Sequence, residues 1–536
     1  MRVRAFASLI PYVALLVSLY LLWHIVADPP STFLRQNPNR PSLTTFNNCP
    51  HYGHYALEWH GPGSKGKLNL PYQRPQNSCR TYEVPEVESL IHHVKQKLTD
   101  PDWARLFENN FPLTLDTTIR WNQGEEGVFI VADDIHAEWL RDSTNQLATY
   151  AHLLPYSESL LKLFHGAIVT QAEYVSQYPY CNAFQPPSKS HLPPTFSGKI
   201  DVVTPEYDSG VVFEGKWELD SLAAFFKLSN IYYQHTNRLD FTRSRHAVWI
   251  KAIETAFSVL RQESLGTFDD EGNLIEPIYT FKRGTDKSTE TLYLNGYGSP
   301  LNNKTGLIRS AFRPSGDAAM FGYVIPSNAM ISVEVGKLEP LLKTLASEAS
   351  GTTMETKLLK LSKEASSISK RVRQGILDHA VFEHPQFGQV FAYEIDGYGS
   401  RVYMDDANMP SLLGLPLLGF INMKNSTYQN TRRMVLSQEG NPFFKTGKEF
   451  SGIGGPSVGL SNAWPISAIV RCMTSDDENE IREQLRMLKH STAGLGLMHE
   501  SKINISYGVS KLNFFFLKVS NHLKSLFFLI SRFKCG

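Results

Sequence analysis

Asp133–Gln146 reads DDIHAEWLRDSTNQ, a run of carboxylates with a histidine, a tryptophan and an arginine that is too polar for a core helix. At helical spacing, Glu138, Arg141 and Asp142 fall at i, i+3 and i+4, so one cation and two carboxylates share a face beside Trp139. An aromatic platform next to forked donors and acceptors suits a polyhydroxylated ligand. The CH-rich face of such a ligand stacks on indole, while its hydroxyls bond to guanidinium and carboxylate. The same spacing also serves an ordinary surface helix pair.

Two further stretches bear on that choice: Phe213–Ser221, FEGKWELDS, and Gly494–Ser501, GLGLMHES. The three segments, in this order, resemble glycoside hydrolase family 125, exo-acting α-1,6-mannosidases that invert the anomeric centre and include fungal proteins named as meiotically up-regulated. The resemblance runs from about Val84 to Glu500. It takes in Thr291–Pro300, TLYLNGYGSP, and Arg313–Asn328, RPSGDAAMFGYVIPSN. It implies an (α/α)6 toroid with the active site at the funnel end, Asp220 as general acid, Glu500 as general base, and no metal or cofactor. The expected partner is a mannose-containing glycan, with Trp139, Arg141, Asp142, Trp217, Tyr297 and His499 at the substrate site.

The residues themselves allow other readings. Asp220 stands near the start of an apolar helical run, where a carboxylate also serves as an N-terminal cap. Glu500 ends a Gly-punctuated approach that brings backbone close to a ligand, but it also reads as a loop carboxylate in solvent. Helical spacing sends Glu218 to a different face from Asp220, so Glu214 and Glu218 are expected to orient partners rather than react. Ala392–Ser400, AYEIDGYGS, and Tyr403–Pro410, YMDDANMP, are expected as solvent-facing loop or sugar contacts; calcium is disfavoured because EF-hand spacing is missing. Ser451–Gly459, SGIGGPSVG, lacks the GK[ST] ending of a phosphate loop.

With 536 residues, 42% hydrophobic and 20% charged, the chain can bury one large core or two smaller ones, and length alone favours several domains. A net charge of +1 with interspersed signs gives no footprint for nucleic acid. Apolar residues recur at helical spacing in 86–98, 138–154, 158–178, 217–235, 242–262, 318–342, 354–380, 409–420 and 466–488. Many helices without a βαβ rhythm predict an all-α array whose loops build one face.

Ala5–Ala27 carries no Lys, Arg, Asp or Glu, with Arg2 and Arg4 before it and Asp28 after it. This predicts a signal-anchor helix over residues 1–28 with the rest of the chain lumenal, in a secretory-pathway membrane or at the cell surface. Residues 29–83 read as a stem and 84–500 as the catalytic domain. The triplets at Asn303, Asn425 and Asn504 are glycosylation sequons. Of five cysteines, Cys49 and Cys79 are expected to pair, and no zinc or redox motif is present. After Glu500 the chain departs from the family pattern: residues 501–536 contain no Asp, Glu, Pro, Ala, Thr or Trp. Their bias resembles translated AT-rich non-coding sequence, and an array lacking its proper closing helix is expected to be destabilised. A non-catalytic glycan-binding or structural protein on the same toroid is the alternative function.

Overall fold

In the computed structural model, residues 49–132, 135–243, 247–498 and 502–503 are described. The chain divides into two units, Met1–His51 and Tyr52–Gly536. The main helices of the second unit are α1 (Pro85–Lys97), α2 (Pro101–Asn110), α3 (Leu140–Ala148), α4 (Glu158–Gln177), α5 (Leu219–Thr236), α6 (Val248–Gln262), α7 (Ile325–Glu348), α8 (Thr353–His379), α9 (Ser426–Val435), α10 (Pro465–Met473) and α11 (Glu478–Lys489).

Local chemistry explains many of these boundaries. The Asp100 carboxylate accepts from the Asp102 and Trp103 N–H groups and Pro101 opens α2, while Ser157 and Asp477 cap α4 and α11 in the same way. α5 ends at Asn237 in the left-handed region, φ 55°.

The helices pack in two rows. α3 lies against α5 and α5 against α7, while α4 covers α6, and α7/α8 and α10/α11 form hairpins. α11 returns to α2, where Lys489 pairs with Asp100 at 2.6 Å. This arrangement is compatible with a closed helical ring. One hydrophobic cluster runs through it, with Trp249, Tyr232, Phe226 and Phe257 fully or almost fully buried.

The all-α expectation is corrected. Short strands form seven two- and three-stranded antiparallel sheets among the described residues. They are two to four residues long, too short for a period of two to stand out in sequence. Several lie where the chain enters an inner helix: Glu138–Trp139 immediately precedes α3, and Tyr323–Val324 precedes α7. The helix expected from Ala318 therefore begins only at Ile325, with Pro326 in its first turn. Residues 409–420 form turns, because Pro410 and Pro416 interrupt them and the Asp405 carboxylate takes the Leu412 and Leu413 N–H groups. The expected helix over 466–488 is two helices, broken at Thr474–Asp477.

The expected N-terminal anchor finds no support among the described residues. No helix among the described residues is long and apolar enough to cross a membrane, and Ala5–Ala27 lies outside the described residues. Part of the expected stem, from Tyr52 to Glu83, packs onto the helices. Leu70 is fully buried, Arg74 is clamped between Asp116 at 2.7 Å and Glu88 at 2.5 Å, and Ser64 donates to Asp102 at 2.5 Å. Cys49 and Cys79 are disulfide-bonded; Cys181 and Cys472 are buried free thiols.

Candidate active site

Three helix N-terminal turns converge on one buried charge cluster. Arg141 from α3 donates through Nη1 to Asp220 of α5 at 2.8 Å and to Glu218 at 3.1 Å. Ser327 from α7 donates to the other Asp220 oxygen at 3.1 Å. Asp220 is completely buried and Glu218 nearly so. Positive helix ends favour carboxylates here, but three acids, counting Asp142 beside Arg141 at 3.4 Å, crowd one guanidinium.

Asp220 is not a cap. Glu218 occupies that position in extended conformation and makes no capping bond, while Ser310 takes the Leu219 N–H at 3.0 Å. Glu218 thus turns back to meet Asp220 on Arg141, contrary to the helical-face expectation, because it precedes the helix. Burial pushes the Glu218 carboxyl above its usual range, Arg141 opposes this, and the Asp220 charge adds to it.

Glu138 is likewise off the helix, paired in a strand with Phe184. It takes the Ile130 N–H at 3.1 Å and is pushed up to about 8 by burial, although hydrogen bonds from Ile130, Ser143 and Gln171 pull the other way. Arg141 pairs instead with Asp142, Glu218 and Asp220. Glu214 shows the opposite outcome: burial raises it, but Lys216 and Arg283 hold it at about 2.

Asn182, which carries no sequence signal, ties these groups together. Its Nδ2 donates to Glu218 at 3.0 Å and Glu214 at 3.2 Å, and its Oδ1 accepts the Lys216 N–H.

Trp217 is 1% exposed; its Nε1 donates to the Arg309 carbonyl at 3.0 Å, so its ring supports the Asp220 segment rather than offering an open face. Trp139 is half-buried, edge-on to Phe213 at 5.4 Å. Tyr297 is 40% exposed on a loop whose Ser299 donates to the Met320 carbonyl.

The turn Arg313–Asp317 links this cluster to a second one. Lys216 Nζ donates to the Gly316 carbonyl at 2.8 Å, and Arg313 pairs with Glu394 at 2.5 Å. Glu394, Asp405 and Asp406 are fully buried, which corrects the solvent-facing expectation for that tract. Asp405 and Glu394 hold backbone N–H groups of Leu412, Leu413, Met320 and Phe321. Asp406 Oδ2, Arg313 Nη2 and the Tyr393 hydroxyl remain unpaired and buried. Among the described residues no group of His, Cys, Asp and Glu is arranged to hold a metal ion.

His499 and Glu500 lie outside the described residues, but the segment leading to them is well fixed. Asn109 and Asn110 at the end of α2 both donate to the Gly496 carbonyl, at 3.0 and 3.1 Å. Asn110 Oδ1 accepts the Met498 N–H at 3.0 Å. Gly496 has φ 66°, and a Cβ there would come within 2.9 Å of the Asn109 amide, so glycine is required.

Comparison with known proteins identifies the family. The Schizosaccharomyces pombe meiotically up-regulated gene 157 protein is 50% identical over 457 residues, covering 84% of this chain and 87% of that protein. A Streptococcus pneumoniae metal-independent α-mannosidase, solved in a non-productive complex with α-1,6-mannobiose, superposes with a TM-score of 0.74 at 27% identity, covering 85% of this chain and all of that one. Residues 100–508 match the family model of metal-independent α-mannosidases; the chain belongs to glycoside hydrolase family 125 and is a glycoside hydrolase.

Proposed function

We propose that this enzyme is an exo-acting α-1,6-mannosidase that removes terminal mannose from glycans with inversion, Asp220 acting as general acid and Glu500 as general base. The observation that carries the reading is the pairing of Asp220 with Glu218 on one buried guanidinium. Two carboxyls sharing a single counter-charge in a dry site hold a proton between them. Asp220 delivers that proton to the glycosidic oxygen as the C–O bond breaks. Water attacks the anomeric carbon from the opposite face and gives its proton to Glu500. Such a mechanism places the two carboxyls roughly 6.5–9.5 Å apart, leaving room for the water. The α-1,6-mannobiose bound to the pneumococcal relative supports the linkage, and the disulfide-bonded Cys49 and Cys79 support a secretory-pathway setting.

The test is proton NMR of α-1,6-mannobiose turnover by the full chain, beside Asp220→Asn and Glu500→Gln. β-Mannose as the first product, lost in both variants, is expected. α-Mannose as first product would refute inversion, and no release by folded protein would favour a binding role.

A further inference from the structure

We propose that the segment Tyr55–Arg80 carries a second carbohydrate site, a groove that holds a mannose-containing chain away from the Arg141–Asp220 cluster; the choice of sugar rests on the mannosidase reading. The groove encloses about 450 Å³, within the roughly 300–1,000 Å³ typical of small-molecule sites. Its walls are aromatic and rigid. Trp59 is 55% exposed and lies along Gly61 and Gly63, where a Cβ would come within 3.3 and 3.2 Å of the indole. The His60 ring stacks on Tyr55, centroids 3.8 Å apart and 8° from parallel, and Tyr55 is pinned by its hydroxyl donating to the Arg74 carbonyl at 3.2 Å. Tyr72 has the Arg105 guanidinium 5.4 Å from its ring centroid, and its hydroxyl accepts from Arg80 at 3.3 Å. Leaving an indole half in water forfeits the burial that its surface would otherwise gain.

Charge selects the ligand class. Both arginines in the groove are already neutralised: Arg74 by Asp116 and Glu88, Arg80 by Glu83 at 3.4 Å and Asp116 at 3.7 Å. Among the described residues that line the groove, neither arginine is left free to attract phosphate, sulfate or nucleic acid. Stacked rings with exposed Gln76 and Asn77 amides on the rim match a neutral ring with one CH-rich face and an edge of hydroxyls. Beneath the groove the buried Asn109 amide anchors the segment, its Nδ2 donating to both the Pro71 carbonyl at 3.1 Å and the Gly496 carbonyl at 3.0 Å. A mannose-containing chain bound here lays the CH-rich faces of its sugars on these rings.

The experiment uses the full chain with linear α-1,6-mannotetraose and α-1,6-mannobiose. Dissociation constants are measured by calorimetry on an Asp220→Asn background, and kcat and KM on the otherwise native chain. Trp59→Ala is expected to weaken tetraose binding about tenfold while leaving kcat/KM on mannobiose unchanged. A Gln76→Ala, Asn77→Ala double variant, altered only on the exposed rim, is expected to weaken the tetraose about threefold by the loss of rim hydrogen bonds. Unchanged tetraose binding in both variants, or equal losses on tetraose and mannobiose, would overturn the proposal. If the native chain releases no mannose yet binds the tetraose in a Trp59-dependent way, the groove stands and the mannosidase reading falls.

Discussion

Glu218→Gln isolates the electrostatic part of the proposed acid. Glu218 and Asp220 accept from the same Arg141 nitrogen at 3.1 and 2.8 Å, so their reacting oxygens stand no more than about 6 Å apart. At that separation and an effective dielectric near 20, two unit charges repel by about 3 kcal/mol. Glutamine keeps the shape and the acceptor toward Arg141 and Ser221, and Asn182 Nδ2 retains Glu214 as an acceptor. What disappears is the neighbouring charge that helps the pair hold its proton. In an inverting glycosidase the acid must be protonated, and its loss of that proton sets the alkaline limb of the rate profile. The kcat/KM profile of Glu218→Gln on α-1,6-mannobiose should therefore lose activity at lower pH than the native profile, with an unchanged acid limb. Thermal denaturation at each pH checks that the fold persists. An alkaline limb that stays in place, or moves upward, would refute the shared-proton argument.

Glu138→Gln tests the buried carboxyl that accepts the Ile130 N–H. Its folded value of about 8 exceeds the usual 4.5, so the folded state binds more protons than the unfolded chain between those values, and stability must fall as pH rises through them. The variant should gain roughly 2–4 kcal/mol at pH 9 and little at pH 4, read as melting temperature against pH; a gain confined to acid pH would contradict this. Asn110→Ala removes the acceptor for the Met498 N–H and a donor to Gly496, costing about 2–3 kcal/mol. Steady-state kinetics should show kcat falling while KM for mannobiose stays nearly constant; a native kcat would show that this clamp does not position Glu500.

The sequence motif around Arg141 was legible because charged residues rarely cluster with tryptophan by chance, and Arg141, Asp142 and Asp220 do meet. What misled was the helical ruler. Glu138 and Glu218 sit just before helix starts, where extended backbone reverses the direction that helical spacing implies. Asn182, Ser310 and Ser327 hold the cluster through hydrogen bonds across long sequence separations, and such pairings leave no periodic trace. Trp217 reads as a sugar platform until its burial against Tyr180 and the Arg309 carbonyl is seen. The aspartates of the YMDDANMP tract read as solvated for want of any hint that Leu412 and Leu413 would donate to one of them.

The bonds from Asn109 and Asn110 to Gly496 and Met498 span 386 to 388 residues. During synthesis the acid half, built from Arg141, Glu218, Asp220 and Ser327, leaves the ribosome well before the segment that carries Glu500. At usual elongation rates the delay is on the order of tens of seconds. On the proposed assignment of Asp220 and Glu500, a growing chain has a proton donor but no water activator. On that assignment hydrolysis waits until late-made sequence docks on an early-made helix, which makes this contact a check that nearly the whole polypeptide has been translated.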